Sequence, residues 1–264
     1  KLIDSLGLDL FTEVIDWSEM QDLQLSFFKA QVPHLDAPQD HVFFASLYNF
    51  AVKHKIKYIL TGGNFSTECI REPLDWIYHA SDLRQLKDIH QQFGTVPLSS
   101  FPTSDIFKSN IYYKYFKGMK VVRPLDYFPY KVSEAMKELK NIYGWKPYKH
   151  KHYESRFTRF FEGFWLPNKF GYDKRKTHFS SLILTGQMTR NDAMEELKKP
   201  AYDPEDMRKD FEFVAKKLGL TSNGLDKIMR GENRTYKNYK NNMFIINIST
   251  KIFTFFKGNR QIFK

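Results

Sequence analysis

Apolar positions recur along the first half of the chain with two alternating periods. Asp40 to His54 carries Phe43, Phe44, Leu47, Tyr48, Phe50 and Ala51 at helical spacing. A short unbroken apolar run, Ile56 to Leu60, follows and reads as a buried strand. Upstream, Phe11 to Ile15 reads as a strand and Met20 to Ala30 as a helix. Downstream, Ser81 to Phe93 sets Leu83, Leu86, Ile89 and Phe93 on one side of a helix, with Gly94 as its stop. Asp105 to Lys117 is a further helix, and Val121-Val122 a short strand before Pro124. Strands alternating with helices predict an α/β fold with a largely parallel sheet.

The second half loses the strand signal. Helices are expected over Pro129 to Tyr143, closed by Gly144, and over the strongly aromatic stretch Tyr153 to Leu166. Tyr172 to Leu184, stopped at Gly186, is another. Thr189-Arg190-Asn191-Asp192 resembles a capping box opening Ala193 to Lys198. Asp203-Pro204 opens a helix that ends near Gly219, with Pro suited to the first turn, and Thr221 to Arg230 forms a short one. From Asn233 to Lys264 there is no acidic residue, and Lys or Arg alternate with Tyr and Phe. The expected division is an α/β part over 1–128, a helical part over 129–232 and a basic aromatic tail over 233–264. The opening, Leu2 to Leu8, reads as the tail of a helix closed by Gly7, as if cut from something longer.

Composition narrows the class. With 264 residues, 42% of them hydrophobic and 17% aromatic, the chain can bury a sizeable core. A net charge of +11 points to an anionic partner: nucleotide, sugar nucleotide, nucleic acid or acidic membrane. Cys69 is the only cysteine, so no disulfide framework or cysteine metal site arises within the chain. That usage fits a reducing compartment, the cytoplasm. No apolar run is long enough to span a bilayer, and no signal peptide is evident.

Several residues are candidates for chemistry. Thr61-Gly62-Gly63-Asn64 ends the apolar run and precedes a helix-compatible segment. It reads either as an ordinary strand–helix turn or as a ligand loop, since glycines allow close backbone approach and helix N–H groups favour phosphate. Glu68, one turn on, can hold Mg²⁺ or simply favour the helix N-terminus. Gln39, Asp40 and His41 can open a helix with Asp40 as N-cap, or contact a nucleotide. Arg84 sits beside Leu83 and Leu86 as a possible anion contact or a solvated side chain. Lys174, Arg175 and Lys176 start a helix, where positive charge opposes the dipole unless an anion is bound. His178 and Ser181 follow at helical spacing, and either line a site or pack. His152 and Glu154, beside Arg156, are an acid–base pair or surface charges flanking an aromatic core helix. The tail is a nucleic-acid or membrane arm, or a terminal helix packing its aromatic side.

Five segments taken in order resemble a known family. They are Pro38-Gln39-Asp40-His41, Tyr58-Ile59-Leu60-Thr61-Gly62-Gly63-Asn64, Asp82-Leu83-Arg84-Gln85, His152-Tyr153-Glu154-Ser155-Arg156-Phe157, and Lys169 to Ile183. The likeness is to the N-acetyl sugar amidotransferases, lipopolysaccharide-biosynthesis enzymes of the PP-loop ATP pyrophosphatase superfamily. It runs from about the first strand to the helix after Asn223. The resemblance implies a PP-loop α/β domain in which ATP, with Mg²⁺, adenylates the oxygen of a sugar's acetamido group. Ammonia from a glutaminase partner then gives an acetamidino group. It implies a sugar nucleotide as substrate, with nucleic acid not the expected partner. Lys174, Arg175 and His178 would be catalytic, and Thr61, Gly62, Gly63, Asn64, Arg84, Gln39 and Asp40 would bind the nucleotide, with Glu68 on the metal. The chain departs from the family in one respect: the superfamily's Ser-Gly-Gly-x-Asp-Ser loop is not found in it. In the family that loop lies upstream, so this chain alone is expected to be inactive. A tRNA-modifying member of the superfamily and a non-catalytic fragment are the competing expectations.

Overall fold

The computed structural model describes residues 2–146 and 154–257. A short helix, α1 (Leu2–Ser5), is followed by a loop and then α2 (Trp17–Lys29) and α3 (Ala37–Lys53). Strand β1 (Tyr58–Leu60) leads into a single helical turn, α4 (Phe65–Glu68), and then α5 (Leu83–Phe93). A π-helical segment, Lys108–Phe116, precedes strand β2 (Lys120–Val122). The rest is helical: α6 (Val132–Tyr143), α7 (Arg156–Phe160) continuing into a π-helix over Phe161–Phe170, and α8 (Arg175–Leu184). Then come α9 (Arg190–Lys198), α10 (Pro204–Lys217), α11 (Ser222–Met229) and α12 (Met243–Lys257).

Helix starts follow the capping residues. The Asp16, Asp82, Thr189, Asp203 and Thr221 side chains each accept backbone N–H groups of the first turn they precede. Gly144 and Gly186 close α6 and α8 at φ of 65° and 70°, a conformation glycine adopts without strain.

Three expectations change. Among the described residues the sheet has two strands, so the fold is mostly helical with a small parallel sheet. The pairing is parallel, Tyr58 opposite Lys120, Ile59 opposite Val121 and Leu60 opposite Val122. Phe11 to Ile15 forms no strand. It has no ladder partner, and Phe11 packs its ring 4.8 Å from that of Phe50 on α3. Asp105 to Lys117 and the aromatic stretch are wider than α-helices, because apolar spacing does not separate a 3.6-residue turn from a π turn.

Two cores result. The larger joins Leu23, Phe27 and Phe28 of α2 to Leu86 and Ile89 of α5, and to Phe160, Phe161, Trp165 and Leu166. The aromatic run is therefore structural. Phe28 and Trp165 meet edge to face at 4.8 Å. Among the described residues the smaller core buries Ala51, Ile59, Tyr113 and Met119.

Residues 231–242 return to the first helices. Arg234 N donates to Gln31 O, the Tyr239 hydroxyl to Ala30 O, and Asn242 N to Asp82 Oδ2. Tyr236 stacks on Tyr78 at 4.6 Å. Buried carboxylates brace the same layer: Asp22 accepts N–H groups of Thr95 and Val96, and Glu19 those of Ser99 and Ser100.

Candidate functional site

The turn after β1 is built by its own side chains. Gly63 N donates to Thr61 Oγ1 at 3.0 Å, and Asn64 Oδ1 accepts from Thr67 N at 2.9 Å. Phe65 N donates to Asp126 Oδ1 at 2.6 Å. Asp126 is held by Arg123, whose Nε also donates to Gly63 O at 3.2 Å. The carboxyl ends of the two parallel strands are thus laced together. The N–H groups of Gly63, Phe65 and Thr67 are already engaged, and α4 is a single turn.

The start of α8 approaches this turn. Ile70 N donates to Ser181 Oγ at 3.1 Å, and Thr185 Oγ1 donates to Ser66 O at 2.8 Å. Between them opens a cleft of about 830 Å³, a size suited to a small-molecule ligand. Gly62, Gly63, Asn64 and Glu68 line one side, and Glu162, Lys174, Arg175 and His178 another. Tyr130, Val132, Met136 and Trp145 form an aromatic and apolar wall from α6 and its flanks. The expected meeting of the strand-end loop with the Lys174 segment is therefore observed.

Lys174 is not a free cation. Its Nζ lies 2.8 Å from Glu162 Oε1, 3.4 Å from Glu72 Oε1 and 3.9 Å from Asp36 Oδ2. Burial opposes its charge, but Glu162, Asp36 and Glu72 override that and hold it protonated. Asp40 belongs to the same cluster: burial and Asp36 push it up to about 7, with Lys174 pulling the other way. Burial also raises Glu72, whose Oε2 has no hydrogen-bond partner. Arg175 is spent locally. It clasps Asp173 through Nε and NH2 and donates to the carbonyls of Glu196 and Lys199. The positive helix start is therefore paired with the protein's own carboxylates.

Other candidates lie elsewhere. Asp40 is not a cap; the helix begins at Ala37 after Asp36, and Asp40 N donates to Asp36 O. Gln39 is half-buried on α3 and not part of the cleft lining. Arg84 is exposed on α5, away from the cleft lining. His41 is structural: Nδ1 lies 2.7 Å from Ala80 O and Nε2 accepts from Ser104 N, which assigns the proton to Nδ1. Ser181 both packs and lines the cleft. Glu154 edges the cleft, and Arg156 pairs with buried Asp210 at 2.6 Å. His152 lies outside the described residues. Among the described residues, no group of three or more His, Cys, Asp and Glu side chains can hold a metal ion.

The reading of the sequence missed Arg123, Asp126, Glu72 and Glu162. Arg123 was the most legible of them, as the residue directly after the second strand. Glu72 and Glu162 carry no motif, and only the folded chain brings them to Lys174.

Residues 154–253 match the family model described as LPS biosynthesis protein WbpG-like, C-terminal domain. The matched span contributes Glu154, Glu162, Lys174, Arg175 and His178 to the cleft and runs into α12. It supports a role in LPS biosynthesis. No curated protein and no solved structure matches the chain.

Proposed function

We propose that this protein works in LPS biosynthesis as an ATP-dependent amidotransferase, converting an acetamido group of a nucleotide-linked sugar to an acetamidino group. The amide oxygen attacks the α-phosphorus of ATP and pyrophosphate leaves. Ammonia adds to the activated carbon, AMP departs with the former amide oxygen, and a proton is lost to give the amidine. An amide carbonyl is a poor electrophile, and adenylation supplies its leaving group.

The observation that carries the reading is the cleft shared by Gly62, Gly63 and Asn64 of the strand-end loop and the start of α8, which Thr61 does not line. In open α/β sheets, ligands bind beyond the carboxyl ends of the strands. Lys174, held in the cleft wall by Glu162 and Glu72, is assigned to the charge that develops on the departing pyrophosphate. His178, on the cleft wall, is assigned the proton released by the incoming ammonia. Arg175 acts as a positioning residue, because its guanidinium is committed to Asp173 and two carbonyls. Glu68 beside Gly63 would hold Mg²⁺. A single protein carboxylate suits a cation that keeps waters and takes phosphate oxygens.

The test is pyrophosphate release from ATP with and without an acetamido sugar nucleotide and ammonia. It is run on this chain and on the chain extended by its upstream coding sequence. Sugar-dependent release by the extended protein is expected, with none from this chain alone. Lys174→Ala should lower the adenylation rate about a hundredfold, the loss of one charge-assisted contact worth on the order of 3 kcal/mol in the transition state. Sugar-independent release, or equal activity from both proteins, rules the mechanism out.

A further inference from the structure

The helix α12 leaves an apolar surface bare. Met243 and Ile246 are half-buried, whereas Phe244, Ile245 and Ile248 are 77%, 52% and 41% exposed. Positions i, i+1 and i+4 fall within one apolar stripe about 100° wide on a helix. Its root is fixed: Asn242 donates from its backbone and its side chain to Asp82 at 2.6 and 2.8 Å. Lys251, exposed, lies one turn beyond Ile248. From Asn233 to Lys264 the sequence has seven lysines and arginines and no acidic residue.

We propose that α12 docks along an anionic membrane surface, with Phe244, Ile245 and Ile248 entering the boundary between headgroups and acyl chains. No described helix is long and apolar enough to cross a membrane, so the contact is a helix lying on the bilayer. Charge complementarity selects the occupant. An acid-free segment is attracted to lipid phosphates, whereas a second copy of the same helix would set like charges face to face. Nucleic acid would meet the charge but not the isoleucines, which have no π-face on which a base can stack. The inference does not depend on the reaction proposed above.

Co-sedimentation of the full chain with vesicles of mixed phosphatidylglycerol and phosphatidylcholine, and of phosphatidylcholine alone, tests it. The protein should pellet with the anionic vesicles and come off as salt is raised. Ile245→Ser with Ile248→Ser should lower the affinity roughly tenfold or more, and Lys251→Glu should lower it roughly severalfold. Circular dichroism should show the helical content of both variants unchanged. The proposal fails if the wild type stays in the supernatant with both vesicles, or if the isoleucine variant binds like wild type. It also fails if that variant changes only the mass at sedimentation equilibrium, which would make the face a contact between copies.

Discussion

The two cores of this molecule differ in how far each is closed. The larger, around Phe28, Trp165 and Leu225, buries its largest side chains almost completely and is sealed by the returning segment 231–242. The smaller rests on Ala51, Ile59, Tyr113 and Met119, and the sheet above it leaves Tyr58 and Leu60 60% and 71% exposed. Parallel sheets ordinarily have both faces covered. The strand-end loop follows the thinner core, and Lys174 reaches Glu162 and the ring of Phe161 on the thicker one. The cleft therefore joins a rigid wall to a wall supported by few buried contacts, and its geometry depends on the ties that bridge them.

That contrast is open to direct attack. Trp165→Ala should destabilise the fold by about 4 kcal/mol, because the surrounding aromatic rings cannot collapse into the space. Ile59→Ala in the small core should lower stability by about 2 kcal/mol, since that site is nearer to solvent and can relax. Urea denaturation of both variants checks the order; equal losses would mean that the two cores are equally closed.

The Lys174 cluster provides a sharper probe of the boundary. Lys174→Met leaves Glu162 and Glu72 facing each other without their cation, and should destabilise by about 3 kcal/mol at pH 8. The loss should shrink as the pH falls, because burial raises Glu72 and a protonated carboxyl no longer needs the cation. A loss independent of pH would mean that the lysine acts through packing alone.

Asp40 predicts a smaller effect of opposite sign. Burial and Asp36 push its carboxyl up to about 7 from an ordinary 3.8. The folded chain then keeps a proton that the unfolded chain releases near 3.8. Its favourable contribution is full below that value and is lost as pH rises through 7. Asp40→Asn should thus leave stability nearly unchanged at pH 4 and raise it by about 2 kcal/mol at pH 8. Denaturation midpoints that do not differ between the two pH values would overturn this.

Local signals in the sequence carried over well. Capping residues located the starts of α9, α10 and α11, and Gly144 and Gly186 the stops of α6 and α8, because these effects act within one turn. The parallel pairing of β1 with β2 followed from helices lying between two short apolar runs. Phe11 to Ile15 misled because a strand exists only with a partner, and periodicity carries no record of one. At the site, the juxtaposition of Gly62 and Gly63 with Lys174 was legible through ordered resemblance. The electrostatics were not. Asp36, Glu72 and Glu162 come from three distant segments, and the charge on Lys174 is a property of their convergence.

The returning segment 231–242 has a meaning for the order in which the protein is made. Gln31, Asp82 and Asp88 receive their partners from Arg234, Asn242 and Lys240, the last of which donates its N–H to Asp88 at 2.9 Å. On the ribosome these partners emerge some 150 residues or more after the helices they secure. Until then the first helical layer lacks its seal and exposes Ala30 and the ring of Tyr78. Contacts so distant in sequence form slowly, so the nascent chain passes through a long interval in which a chaperone has a surface to hold.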